Sequence, residues 1–473
     1  MPTTGEVRRL GHRRSRDAEE RDLGHRRSME SSAGWSADSS AGGAACNPAA
    51  SWVILNRVGT RGDYDDVSTR ATSCTSTGEP IAVSFELVKP PATSMLILHW
   101  PEGPNPSESN LSHPHLLAAH GNKLLFQITI PPSKESFGPI NYFVYQAADS
   151  QSSSDSSPPS QLFRLPTCPE RSGWATVHPL QHIMDRKGTG IMSQSKESFI
   201  VAELEICSLL EANLWAFFSK YGRWKLLEHL RIRNADSHDL YWWATDATLC
   251  YGQQMIWVDY YRGMIFADLS NPENPELWYV TLPVEPIRGN PEHPDFDRGC
   301  PGATRNVCVS GSRIKFIIID GVAGKSFGSI KIWSLSKICC WREQAVLTAA
   351  QLWCLDSSNC LPHNVPRFPV VSMENPNVVY FMARNAGRSA DLDPTTWLVE
   401  VDMDKKVLLA TTSYKEGSPF HGITKTPAMK KPKRSYKEGS LLDENAKFAR
   451  KMSESYSFIP CKIPVYMCKK DEV

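Results

Sequence analysis

The stretch Cys250–Ser270, CYGQQMIWVDYYRGMIFADLS, decides how the rest of the chain is read. An apolar strand precedes a glycine turn, MIWVDY follows it, and GMIFADL follows a second turn at Arg262-Gly263. Short β-branched and aromatic runs broken by glycine turns are the mark of successive antiparallel hairpins. Four other segments repeat the pattern: HLLAAHGNKLLFQI, GIMSQSKESFIVAEL, NVCVSGSRIKFIIID and PVVSMENPNVVYFMA. Their turns fall near Gly121, Ser195, Gly252, Gly311 and Asn375, at intervals of 74, 57, 59 and 64 residues.

Each first hairpin is followed by a second strand pair, such as INYFVYQ with QLFRLP, or TTWLVEV with KKVLLATT. A four-strand unit recurring at a steady interval predicts a β-propeller, with loops longer than the usual period of about 40–50 residues allows. SWVILNR, IAVSFEL and SMLILHW add three N-terminal strands that could complete a further unit. The expectation is an all-β, propeller-like array of four-stranded antiparallel blades, five to seven in number with six favoured. ESFIVAELEICSLLEANLWAFFSKYGRWKLLEHLRIR also admits a helical period, but the glycine of KYGR sits where a hairpin turn belongs, which favours strands.

Composition bounds the function only loosely. Hydrophobic residues make up 41% and charged residues 22%, as in a globular protein, and the formal charge of +1 provides no global attraction to nucleic acid or membrane. Apolar runs are strand-sized, the N-terminus has no apolar signal core, and the thirteen cysteines form no CxxC framework. These features predict an intracellular protein, cytoplasmic or nuclear, with reduced thiols and no membrane span. Residues 1–45, with LGHRRS twice, read as a disordered leader; 46–412 as the propeller-like domain; and 413–473, with SYKEGS twice, as a mostly irregular basic tail.

No motif argues for catalysis. Asp259 and Arg262 could be an acid beside a guanidinium, but polar residues also close the matching strands at Gln127, Glu203 and Asp320, which favours simple strand punctuation. The GKS of DGVAGKSFGSIKIW lacks the glycine a phosphate loop needs, since Ile319 holds that place, and SIKIWSL alternates like a strand. His113, His115 and His120 lie close in sequence without an evident fourth metal ligand. No catalytic residue, cofactor or metal is assigned.

The blocks SWVILNRV, SFELVKPPATSMLILHWP, FIVAEL, MIWVDYYRGMIFADLSNPENPELWYVTLPV and RNVCVSGSRIKFIIID resemble the large grass family built on domain of unknown function 1618. The likeness spans roughly Trp52 to Thr412. It implies a plant protein and transfers no site residue. The strand ends are more distantly similar to F-box-associated and kelch-like propeller modules. Residues 1–50 show no Leu-Pro-rich helical F-box, so a ligase-adaptor role would require a partner to supply it.

The expected function is a protein-interaction module working through loops, with another protein as partner and no sequence-specific nucleic acid. The alternative is a propeller-type enzyme acting on a small molecule or glycan at the channel mouth. The loop carrying Arg288, Asp295, Asp297 and Arg298 is the candidate interaction surface. Lys430, Lys431, Lys433 and Arg434 form a candidate nuclear-import run.

Overall fold

A computed structural model describes residues 52–63, 68–105, 113–131, 138–148, 159–169, 181–285, 298–320, 328–337, 339–357, 361–384, 396–414 and 458–462. All of them belong to one compact unit, Pro48–Val473. The chain opens with β1 (Val53–Asn56), β2 (Thr60–Arg61), β3 (Ala71–Cys74), β4 (Pro80–Glu86) and β5 (Thr93–His99). The second sheet is β6 (His115–His120), β7 (Lys123–Thr129), β8 (Ile140–Gln146) and β9 (Gln161–Arg164). The third is β10 (Thr189–Ser193), β11 (Phe199–Ser208), β12 (Glu211–Phe218) and β13 (Arg223–Arg233), followed by the short helix α1 (Ser237–Tyr241).

The opening stretch lies in the fourth sheet: β14 (Ala247–Tyr251), β15 (Gln254–Asp259), β16 (Gly263–Asp268) and β17 (Glu276–Thr281). The fifth is β18 (Arg305–Ser310), β19 (Arg313–Asp320), β20 (Ser329–Leu335) and β21 (Trp341–Thr348), leading into helix α2 (Ala349–Leu355). The sixth is β22 (Arg367–Val371), β23 (Val378–Arg384), β24 (Thr396–Asp402) and β25 (Val407–Tyr414). A final strand, β26 (Phe458–Cys461), pairs antiparallel with β1 and so returns to the first sheet. Residues 413–473, read as a mostly irregular tail, thus contain a strand of the domain. No described helix is long and apolar enough to cross a membrane.

The sheets form because their strands are apolar on both faces. Along β15, Met255 and Trp257 pack toward the third sheet, while Ile256 and Val258 pack toward the fifth. Period-two alternation sends successive side chains to opposite neighbours, which explains the unbroken apolar run. The same device operates in β19, where Phe316 faces the fourth sheet and Ile317 the sixth.

Six such interfaces follow one another around a closed circle. Phe85 meets Tyr145 between the first and second sheets, and Val144 lies with Val201 between the second and third. Trp52 meets Tyr380 between the sixth and the first. The innermost strands β6, β10, β14, β18, β22 and β26 each touch the next, and β26 touches β6. The architecture is therefore a six-unit propeller, closed by strands from the two distant ends of the domain.

Two-residue turns join the inner strand pairs at Gly121-Asn122, Gly252-Gln253 and Gly311-Ser312. Their glycines have φ of +60°, +62° and +57°, which a side chain would strain. The segment that also admits a helical period is three strands, with a turn at Gly222. Parallel pairings break the repeat. β1 and β2 both run parallel to β5, and the ends of β13 and β17 pair in parallel, joining the third and fourth sheets at their outer edge.

Candidate functional site

Asp259 and Arg262 occupy the β15–β16 turn, as the sequence suggests, but they are not exposed strand ends. Asp259 is 0% and Arg262 3% exposed. Asp259 Oδ2 accepts from Arg262 Nη1 (3.1 Å), Arg298 Nη1 (3.1 Å) and the Ala244 amide (3.0 Å). Its Oδ1 accepts from Arg298 Nη2 (3.1 Å) and the Tyr261 amide (2.9 Å). A buried carboxylate survives only when paired and hydrogen-bonded, and this one is. Gln127 and Glu203, read as closing the matching strands, instead lie inside β7 and β11, and both are buried.

Arg298, expected on an exposed interaction loop, turns inward instead. Its Nη2 also reaches Asp246 Oδ2 at 2.6 Å and the Ala244 carbonyl at 3.2 Å. The two carboxylates raise its pKa although burial opposes them. Burial, then the neighbouring Asp259 carboxylate, pushes the Asp246 carboxyl up to about 6 against the pull of Arg298 and Lys187. The other expected site residues, Arg288, Asp295, Asp297, Lys430, Lys431, Lys433 and Arg434, lie outside the described residues.

This ion network backs one end of a cavity of about 500 Å3 on the propeller axis. Five innermost strands line it: β6, β14, β18, β22 and β26. The loop before β10 contributes Arg186 and Lys187. Among the described lining residues five are lysine or arginine and one is a carboxylate, Asp246, which is bound to Arg298 and lies 3.9 Å from Lys187. Between the ends the wall is apolar, with Leu116, Leu249, Val307, Val370 and Ile459.

Three segments bring arginines to the same mouth. Arg57 follows β1 and is anchored by Nη1 donating to the Leu117 carbonyl at 3.0 Å. Arg305 opens β18, donates to the Tyr260 carbonyl at 2.7 Å and stacks 4.4 Å over the Tyr261 ring. Arg186 sits in a loop pinned by the Asp185 amide donating to Glu203 Oε1 at 2.8 Å. Arg186 itself makes no hydrogen bond or ion pair among the described residues.

Among the described lining residues the cations outnumber the carboxylates. Burial lowers the pKa of both Arg57 and Arg305. Burial, then Arg186, His113 and Arg57, drives His115 down to about 4, so its ring is neutral at physiological pH. An anion entering here would meet cations desolvated by burial, with Asp246 as the one carboxylate among the described lining residues. Buried Cys308 has a thiol pushed up to about 12, the opposite of a reactive cysteine. The three histidines do not form one cluster: His113 lies near His115, which opens β6, whereas His120 closes the strand with Nδ1 accepting from the Ser193 amide at 3.0 Å.

No sequence motif marks Arg57, Arg186 or Arg305. Their shared signal is position, since each stands within a few residues of an end of a strand in the inner part of its sheet. That equivalence becomes visible only once the units are aligned on their strands.

Fold and site together define a six-unit propeller with a basic central channel. The family model described as a protein of unknown function (DUF1618) matches residues 257–380, from within β15 to within β23. No curated protein matches the chain. Among solved structures, a putative 6-phosphogluconolactonase from Bacteroides uniformis is 11% identical, with 76% of this chain and 83% of that chain covered, at a TM-score of 0.31. The computationally designed Ika8 protein is 10% identical, with coverages of 63% and 86% and a TM-score of 0.26. A Trypanosoma rangeli sialidase in complex with sialic acid is 10% identical, with coverages of 74% and 60% and a TM-score of 0.29.

Proposed function

We propose that this chain is a non-catalytic protein-interaction module that takes an acidic group of its partner into the basic mouth of the channel. One observation carries the reading: Arg57, Arg186 and Arg305 converge where the one carboxylate among the described lining residues, Asp246, is held by Arg298. Sheets packed on both faces hold these cations rigidly, so little ordering is needed on binding. The resemblance to the grass family makes a grass tissue the source in which to seek the partner. The same reading places the protein in the cytoplasm or nucleus, with Lys430–Arg434 as the import run.

The test is affinity purification of the full chain from grass tissue, with mass spectrometry of what co-purifies. The full chain is required because a domain cut at 412 would lose β26. Arg186→Glu reverses charge at a side chain with no hydrogen bond or ion pair among the described residues, so the fold should survive. The reading expects a stoichiometric protein that wild type retains and the variant loses, with retention falling as salt rises. Equal recovery on both proteins, or none on either, counts against it.

A second reading, an enzyme acting on a small molecule, has one observation in its favour: a cavity of about 500 Å3 is of ligand size. Turnover of any phosphorylated or carboxylated compound, abolished by Arg186→Glu, would establish it.

A further inference from the structure

Away from the channel, the third sheet carries two β-bulges on adjacent strand pairs. Between β11 and β12 the register passes from Ile206↔Ala212 to Ser208↔Glu211, which leaves Cys207 as the extra residue. Between β12 and β13 it passes from Ala212↔Leu230 to Leu214↔Leu227. His229 lies in that gap with φ +55°, and its amide donates to Asn213 Oδ1 at 3.1 Å. A bulge re-aims a side chain that regular pairing would fix. A non-glycine residue held in the left-handed region invites a functional explanation.

The two bulges aim at one spot. Cys207 Sγ, a Glu211 carboxylate oxygen and a His229 ring nitrogen all lie within 4.8 Å of one another. His229 Nδ1 is 3.1 Å from Glu211 Oε2, close to the ~3.4 Å that separates ligand atoms in a tetrahedral zinc shell. Ser208 Oγ donates to the same carboxylate oxygen at 3.4 Å, an outer contact of the kind that orients a metal-bound carboxylate. Cys207 and His229 are exposed and Glu211 is half-buried, so a fourth position opens to water.

We infer that Cys207, Glu211 and His229 form a zinc site at the edge of the third sheet. Thiolate with imidazole selects zinc over magnesium or calcium, which prefer oxygen shells. Binding replaces the Cys207 thiol proton with the metal, and that proton leaves to solvent. His229 enters as neutral imidazole through Nδ1, keeping its proton on Nε2. The occupied site ties β11, β12 and β13 together where both bulges interrupt the ladder. This inference does not depend on the channel.

The experiment is titration of the full chain with cobalt(II), then zinc, in metal-free reducing buffer. A thiolate-to-cobalt absorption band should saturate at one equivalent and vanish when zinc is added. Cys207→Ser should abolish it. His229→Asn, chosen because asparagine tolerates the left-handed backbone, should weaken cobalt binding at least tenfold. Exposed Cys339 and Cys340 are the obvious competitors, so a C339S/C340S protein should keep the band. Zinc should raise the melting temperature of wild type but not of C207S. No band in wild type, a band that survives C207S, or a band lost in C339S/C340S overturns the site. Circular dichroism of each variant separates loss of metal from loss of fold.

Discussion

Arg298 Nη2 stands 2.6 Å from Asp246 Oδ2, and through that contact the chain entering the fifth sheet is fastened to the turn that opens the fourth. Asp246 in turn accepts from the Tyr260 amide at 3.0 Å. A residue expected to face a partner therefore holds the channel mouth in shape. Replacing it by Met leaves two buried carboxylates short of their counter-charge. Arg298→Met should lower stability by about 3–5 kcal/mol in urea unfolding. Adding Asp246→Asn should recover part of that loss, because the two changes share one network. A cost below about 1 kcal/mol would show that the network does not fasten the mouth.

His115 makes the mouth sensitive to acid. Its folded pKa of about 4 lies below the ordinary 6.5, so the folded state resists the proton that the unfolded chain accepts. The associated stability is present above pH 6.5 and is lost as pH falls through about 4. His115→Gln removes the titration. Between pH 7 and 4.5, wild type should lose more stability than the variant, by about 1–2 kcal/mol. Parallel loss in urea titrations at the two pH values would contradict this.

Closure of the ring depends on β26. Its Ile459 and Cys461 are buried, and its four residues pair with β1. A chain ending at 457 forfeits this burial and exposes the inner edge of the first sheet. The expected cost is at least about 3 kcal/mol, from one large side chain and several ladder bonds. Hydrogen exchange should accelerate first in Val53–Asn56. An unchanged melting temperature would mean that the ring closes without this strand.

Lys123 is 0% exposed, and among the described residues its ammonium has no carboxylate partner. Its ammonium donates to the carbonyls of Ser195 and Lys196, both at 2.9 Å, and to Ser193 Oγ at 3.1 Å. The second sheet thus grips the β10–β11 turn of the third. Lys123→Met keeps the volume but strands those acceptors, at about 1–3 kcal/mol. Faster exchange confined to the 195–198 turn is the distinguishing readout. A variant as stable as wild type would show that removing the buried charge offsets the lost bonds.

The fold was legible because its signal is local. Gly121, Gly252 and Gly311 fall in inner turns as read, and the apolar runs after them became β7, β15 and β19. The first sheet was only partly legible. SWVILNR, IAVSFEL and SMLILHW are recognisable strands, whereas FIPC at 458–461 is too short to stand out and pairs across some 400 residues. The turn read at Arg262-Gly263 falls on Tyr260–Arg262, with Gly263 already opening β16, and its burial was not legible because Arg298 and Asp246 reach it from other segments.

By itself the sequence determined the strand-turn rhythm, the all-β class and the recurrence of the unit, since period-two burial and positive-φ turns are written into neighbouring residues. Tertiary structure alone decided which strands close the ring, which charges are buried and which converge. Arg57, Arg186 and Arg305 become one site only when three sheets meet at the axis, and Cys207 approaches His229 only because two bulges shift the register. Both outcomes depend on contacts between segments far apart in the chain, which local spacing does not encode.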